Sequence, residues 1–145
     1  MRIVIQRVLN SSVEVESKQV ASIQRGLMLL VGFGQDDTAE CLQAMAEKVV
    51  NMRIFPNEEG RFHFSVKDIA GEILAVPQFT LYADTSKGRR PEFFAALKPE
   101  AATKLFDEFC DCLSKTLDRP VERGIFGANM KVNLLNDGPV TIILD

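Results

Sequence analysis

Two short segments carry the residues best suited to chemistry: Pro77-Gln78-Phe79-Thr80-Leu81 and Asn136-Asp137-Gly138-Pro139-Val140-Thr141. Each sets a few small polar groups beside a proline in otherwise apolar, strand-like sequence. Neither holds a histidine, a cysteine or a cluster of metal-ligand type. A site assembled from them would work through backbone groups, one amide, hydroxyls and the substrate's own atoms. Proline cannot donate to a sheet ladder, so Pro77 marks an edge, bulge or end of its strand. The backbone from Gln78 to Leu81 would then be open, with the Gln78 amide and the Thr80 hydroxyl alternating onto one face. The plainer reading of the same residues is a strand running into a turn, with Thr80 as a β-former. Asn136-Asp137-Gly138-Pro139 likewise has the composition of an ordinary turn.

The other polar residues offer less. His63 is the only histidine. It alternates between Phe62 and Phe64 on an expected strand, which points it to solvent or a structural role. No Ser-His-Asp spacing or nucleophile elbow occurs. The glycines Gly32 and Gly34 lack the third glycine and the βαβ context of a dinucleotide loop. Cys41, Cys110 and Cys112 are an odd number, and the C-x-C pair is two ligands short of a tetrahedral zinc site. All three are expected as reduced thiols at or near apolar helix positions. Glu58-Glu59 reads as a solvated turn, and Asp107, Glu108 and Asp111 as a wet helix face. Lys87-Gly88-Arg89-Arg90 is the densest basic cluster. It is either a solubilising loop or a clamp whose arginines fork onto phosphate oxygens.

The elements that must position these groups begin with strands. Ile3, Val4, Ile5 and Val8 suggest one, Val13-Glu14-Val15-Glu16 alternates as a second, and Leu27 to Phe33 is an apolar run covered on both faces. Gly34-Gln35-Asp36-Asp37 turns into a helix over about 38–52, where Asp37 and Glu40 have the spacing of a capping box. Leu42, Met45, Ala46 and Val49 form its buried stripe. Pro56 to Gly60 is a hairpin-like turn leading to the Phe62, Phe64 and Val66 alternation. Gly71 to Phe79 is the next strand, followed by a polar loop from Ala83 to Arg90. A second helix starts after Pro99 and runs to about Leu117, burying Ala102, Leu105, Phe106, Phe109 and Leu113. Met130 to Leu135 and Val140 to Leu144 are strands flanking a tight break. Runs of strands with two amphipathic helices argue for an α+β fold with mainly antiparallel sheet. With no linker or repeat, residues 1–145 are expected to form one domain.

Composition is that of an ordinary globule: 46% hydrophobic and 26% charged, over 145 residues. The net charge of −3, from 17 basic and 20 acidic residues, provides no general basic field, so a nucleic-acid partner would be gripped locally. The first residues are too charged for a signal peptide, and no apolar run nears the ~20 residues of a membrane span. A cytoplasmic location is expected.

Ordered landmarks add a specific signal. They are Ile5-Gln6-Arg7-Val8, Arg53-Ile54-Phe55, Gln78-Phe79-Thr80-Leu81, Ala83-Asp84-Thr85, Gly88 with Arg90-Pro91, and Asn136-Asp137-Gly138-Pro139-Val140-Thr141. In these the chain resembles the D-aminoacyl-tRNA deacylases along nearly its whole length. The resemblance implies a homodimer with active sites at the subunit interface, acting on the 3′ end of aminoacyl-tRNA without cofactor, metal or membrane. It implies catalysis by the backbone and positioning groups of Gln78, Phe79 and Thr80, with Pro77 and Leu81 lining the site. Phe126, Ala128 and Met130 should wall the space for the terminal adenosine, and Lys87, Arg89 and Arg90 would meet tRNA phosphates. Gly138-Pro139 carries a cis peptide in this family and enters the partner subunit's site as a chirality filter, both carbonyls pointing one way. The family usually has serine where this chain has Pro77. A related group that removes wrongly attached L-alanine has proline there, yet Phe79 and Val140-Thr141 follow the D-specific type.

Overall fold

The alternation that opens the chain continues further than the sequence suggests. In the computed structural model, which describes residues 1–145, the first two expected strands are one, β1 (Arg2–Val15). It turns through Glu16 and Ser17, both at positive φ (50° and 63°), into β2 (Lys18–Ile23). A two-residue hairpin loop of this kind favours Asn-Gly. Glu-Ser lacks that signature, which is why the hairpin was missed.

β1 is the spine of the sheet. Along one side its first half pairs antiparallel with β3 (Gly26–Gly32) and its second half with β2. Along the other side it pairs antiparallel with β8 (Met130–Leu144), from Ile3 opposite Leu144 to Val15 opposite Met130. Beyond β3 the sheet continues through β6 (Glu72–Pro77) and β7 (Glu122–Arg123), both joined in parallel. The sheet is therefore mixed, although most of its ladders are antiparallel. Parallel neighbours need crossovers. These are supplied by α1 (Leu42–Asn51), with the small hairpin β4 (Phe55–Pro56) and β5 (Phe62–Phe64), and by α2 (Pro99–Leu117). A βαβ unit is thus present after Gly32, contrary to expectation, but its glycines serve packing rather than a phosphate loop.

Both helices cover one face of the sheet. Ile3, Ile5, Leu27, Leu29 and Val31 pack there against Leu42, Ala46 and Val49 of α1 and Phe106, Phe109 and Leu113 of α2. Removing a fully buried ring such as Phe109 costs about 3–5 kcal/mol. A smaller cluster of Val8, Val13, Met28, Leu74 and Val76 occupies the other face, so β3 is covered on both sides. Val8 and Val13 would face opposite ways under strict alternation. The ladder with β8 slips one residue at Leu9, and this bulge puts them together.

Two local expectations fail. Asp37 does not cap α1, which is preceded by a 3-10 turn, Ala39–Cys41, and neither has a side-chain cap. Asp37 instead accepts the Gly34 N–H at 2.6 Å and pairs with the Met1 ammonium, a tertiary contact invisible to local spacing. The break at Asn136–Pro139 does not divide two strands; it is an irregularity within β8, opposite Gln6 and Val8.

Candidate active site

Pro77 ends β6 opposite Val31 of β3, and the next N–H, that of Gln78, still donates to the Val31 carbonyl at 2.7 Å. There the strand stops. Phe79–Tyr82 is a 3-10 turn, not extended chain. The Gln78 amide and the Thr80 hydroxyl do come together, the amide Nε2 donating to Oγ1, but they do so around a turn. A 3-10 turn leaves its first two N–H groups without partners inside the turn, here those of Phe79 and Thr80.

Glycine is what lets this turn sit against β3. A Cβ on Gly32 would lie 2.8 Å from the Gln78 carbonyl oxygen and 3.2 Å from the Leu81 Cβ. On Gly34 it would lie 2.7 Å from the Tyr82 ring. From the other side the Arg2 guanidinium donates to the Leu81 carbonyl at 2.6 Å and stacks over the Tyr82 ring, 4.9 Å from its centroid. Burial, with Asp37 adding to it, pushes the Tyr82 phenol up to about 12. At neutral pH it is therefore an uncharged wedge. The sequence signal for this role is the Gly32/Gly34 pair, which fails as a dinucleotide loop and serves instead as a seat for the turn.

Beside the turn lies a cleft of about 480 Å³ lined by Pro77, Phe79, Phe93, Phe94, Leu97 and Phe126 among others. Phe79 is half-exposed and meets Phe93 edge-on, centroids 5.0 Å apart. Of the residues expected to surround the site, Pro77, Phe79 and Phe126 line this cleft. Met130 is next to it: a Cβ on Gly124 would touch both its Sδ at 2.8 Å and the Pro77 ring at 3.3 Å. Ala128 falls outside, in a separate depression with Glu14 to Ser17. Phe93, Phe94 and Leu97 were missed, although two adjacent aromatics after a polar loop were a visible oddity.

The basic residues Lys87, Arg89 and Arg90 are all exposed. Their loop is closed at its base by paired backbone hydrogen bonds between Asp84 and Glu92 (2.8 and 2.9 Å). The Ser86 N–H on the Asp84 carboxylate holds that group below the usual carboxylate range. His63 is exposed on β5, edge-on to Phe64. Cys110 is buried, and burial pushes its thiol up to about 12. No three of His, Cys, Asp and Glu are grouped to hold a metal ion.

The second segment lies elsewhere. No residue from Asn136 to Thr141 lines the cleft. Gly138 and Pro139 are exposed, joined by a cis peptide bond, with Gly138 at φ 132°. The loop is held from beneath. Buried Arg7 donates through Nε to the Asp137 carbonyl at 3.0 Å and through Nη1 to the Ile54 carbonyl at 2.6 Å. The Asn136 side chain accepts the Val140 N–H at 3.0 Å. Within one chain the two segments do not form a common site.

Comparison with known families decides the assignment. The family described as D-Tyr-tRNA(Tyr) deacylase matches residues 4–145. The chain belongs to that family. Its members are hydrolases of the aminoacyl-tRNA ester, which places this chain among the tRNA-editing deacylases. Among solved structures, one described as "c-Myc DNA Unwinding Element Binding Protein" is 40% identical, with a TM-score of 0.92 over 100% of this chain and 98% of that one. Another, described as a probable eukaryotic D-amino acid tRNA deacylase, is 21% identical with a TM-score of 0.87, covering 99% and 97%. It shares the fold.

Proposed function

We propose that this deacylase hydrolyses D-aminoacyl-tRNA, and glycyl-tRNA as well, at a site built from the Gln78–Thr80 turn of one protomer and the Gly138–Pro139 unit of a second. The observation carrying this reading is the pairing of an exposed, uncapped turn at an aromatic cleft with an exposed loop on the same chain that the cleft does not include. In the proposed homodimer the loop of one protomer reaches the cleft of the other.

An aminoacyl ester is already activated, so the site needs to orient water and stabilise an oxyanion. Backbone N–H groups at the turn suit the second task, one such donor being worth about 3 kcal/mol. The 2′-hydroxyl of the terminal ribose assists the water. Gln78 and Thr80, bonded to each other, hold the turn and the ester in place. Selection by a missing methylene yields only about 1–3 kcal/mol, whereas carbonyl oxygens standing where an L side chain must go exclude it sterically. Glycine has no side chain to exclude, hence the expected activity on glycyl-tRNA. Lys87, Arg89 and Arg90 are proposed to meet tRNA phosphates, Phe126 and Met130 the terminal adenosine.

The test is deacylation of D-tyrosyl-, L-tyrosyl- and glycyl-tRNA by the purified protein, with a 2′-deoxy terminal ribose as control. Release from the D and glycyl esters, retention of the L ester and loss of activity with the 2′-deoxy substrate are expected. Release of L-alanine instead would transfer the assignment to the alanine-removing group that shares Pro77. A second reading, binding to DNA, is favoured by the description of the 40%-identical structure. Salt-dependent affinity for duplex DNA, unaffected by changes at Thr80 or Phe79, would support it.

A further inference from the structure

The cleft has a feature that ester hydrolysis does not require. Phe94 on its rim is 79% exposed, yet the segment carrying it is fixed. The Gln35 N–H donates to the Ala95 carbonyl at 3.1 Å and the Leu97 N–H to the Phe33 carbonyl at 2.9 Å, while the Gln35 side-chain amide donates to the Phe94 carbonyl. The backbone thus holds a phenyl ring in water on a pinned support. Lys98, four residues further on, is exposed and is the one charged residue lining the cleft. It forms none of the chain's ion pairs. An exposed ring, an uncommitted cation and no carboxylate match a base and a phosphate. They do not match the ammonium of an aminoacyl group, which Lys98 would repel.

We infer that Phe94 and Lys98 form a subsite for the penultimate nucleotide of the acceptor strand. Phe94 stacks on its base, and Lys98 meets the phosphate that links it to the terminal nucleoside. The inference rests on the reading above in one respect: the cleft must be where the 3′ end enters. It adds a reach of one nucleotide beyond the scissile ester. Base stacking on an aromatic side chain tolerates any base, so the subsite contributes affinity for tRNA without choosing among tRNAs.

The experiment compares kcat/KM on D-tyrosyl-adenosine, which has neither penultimate base nor linking phosphate, with that on the D-tyrosyl ester of cytidylyl-(3′→5′)-adenosine. For the unaltered protein the dinucleotide ester is expected to be the better substrate by roughly 10-fold. In Phe94→Ala that ratio is expected to fall by roughly 5-fold, in line with the worth of one stacked base, and in Lys98→Met it is expected to fall by roughly 2-fold, the remainder of the advantage. Lys98→Met should also flatten the salt dependence of log kcat/KM by about 0.7 per logarithmic unit of salt, the share of one single-strand phosphate contact. A ratio near one for the unaltered protein, or a ratio retained in both variants, overturns the subsite. Equal loss on both esters with a shift of Phe94→Ala toward a smaller species in sedimentation makes Phe94 a subunit contact, and also overturns it. Failure of the unaltered protein on D-tyrosyl-tRNA as well removes the reading underneath.

Discussion

Replacing Arg7 by methionine tests whether the Gly138–Pro139 loop is held in place or merely stays there. Methionine keeps most of the buried aliphatic stem and discards the guanidinium. The side chain is 8% exposed and its group makes two charged hydrogen bonds to main-chain carbonyls, those of Ile54 and Asp137, besides a 3.3 Å ion pair with the Asp137 carboxylate. A hydrogen bond to a charged group is worth about 1.5–3 kcal/mol. The ion pair adds little, because the Asp137 side chain is one-third exposed. We expect a destabilisation of about 3–4 kcal/mol. For a chain of this length that lowers Tm by about 10 °C, using the average unfolding entropy per residue. Calorimetry would measure it. The second readout is the ratio of kcat/KM for D- and L-tyrosyl-tRNA. Once the carbonyl at Asp137 is released, that ratio should fall by at least 10-fold, with Arg7→Lys intermediate because it keeps charge but loses the fork. An unchanged Tm together with unchanged discrimination would refute the argument, since the loop would then owe its position to something other than Arg7.

Further outcomes follow from the same geometry. Gly32→Ala forces a methyl to 2.8 Å from the Gln78 carbonyl and should depress kcat at least 10-fold by displacing the turn, measured under saturating substrate. Gly138→Ala combines φ 132° with contacts of 2.8 Å to Val140 and 3.1 Å to Arg7; weakened discrimination between D and L esters is expected, and unaltered kinetics would count against the proposed filter. Thr80→Ala should retain appreciable activity under the proposed positioning role of Thr80; complete loss would make it the nucleophile. The Cys110 thiol, raised from 9.0 to about 12 in the folded chain, ionises first in the unfolded chain. Its contribution to stability is full below about pH 9 and declines as pH rises toward 12. At pH 8 it should resist thiol reagents that label Cys41 and Cys112, and react only in denaturant.

Much of this architecture is written in local pattern. The apolar spacing from Ala102 to Leu113, with Pro99 before it, defines α2 because helical period and a first-turn proline are local constraints. Pro77 marks the end of β6 because a missing N–H is a property of one residue. The Gln78 and Thr80 side chains meet because they lie two positions apart in a segment that cannot remain a strand.

Other features needed the chain to come together. β1 and β8 are each continuous because they pair with one another, and neither could show this through its own residues. Asp37 abandons α1 for the Met1 ammonium, which lies 36 positions away in sequence. Gly32 and Gly34 matter only once the 79–82 turn packs upon them, and Arg7 becomes the support of Asp137 only across 130 residues of separation. Periodicity and proline chemistry act between near neighbours, so sequence alone determined the helices, most strand segments and the two segments of interest. Their separation within one chain arises from long-range packing that no short window of sequence contains.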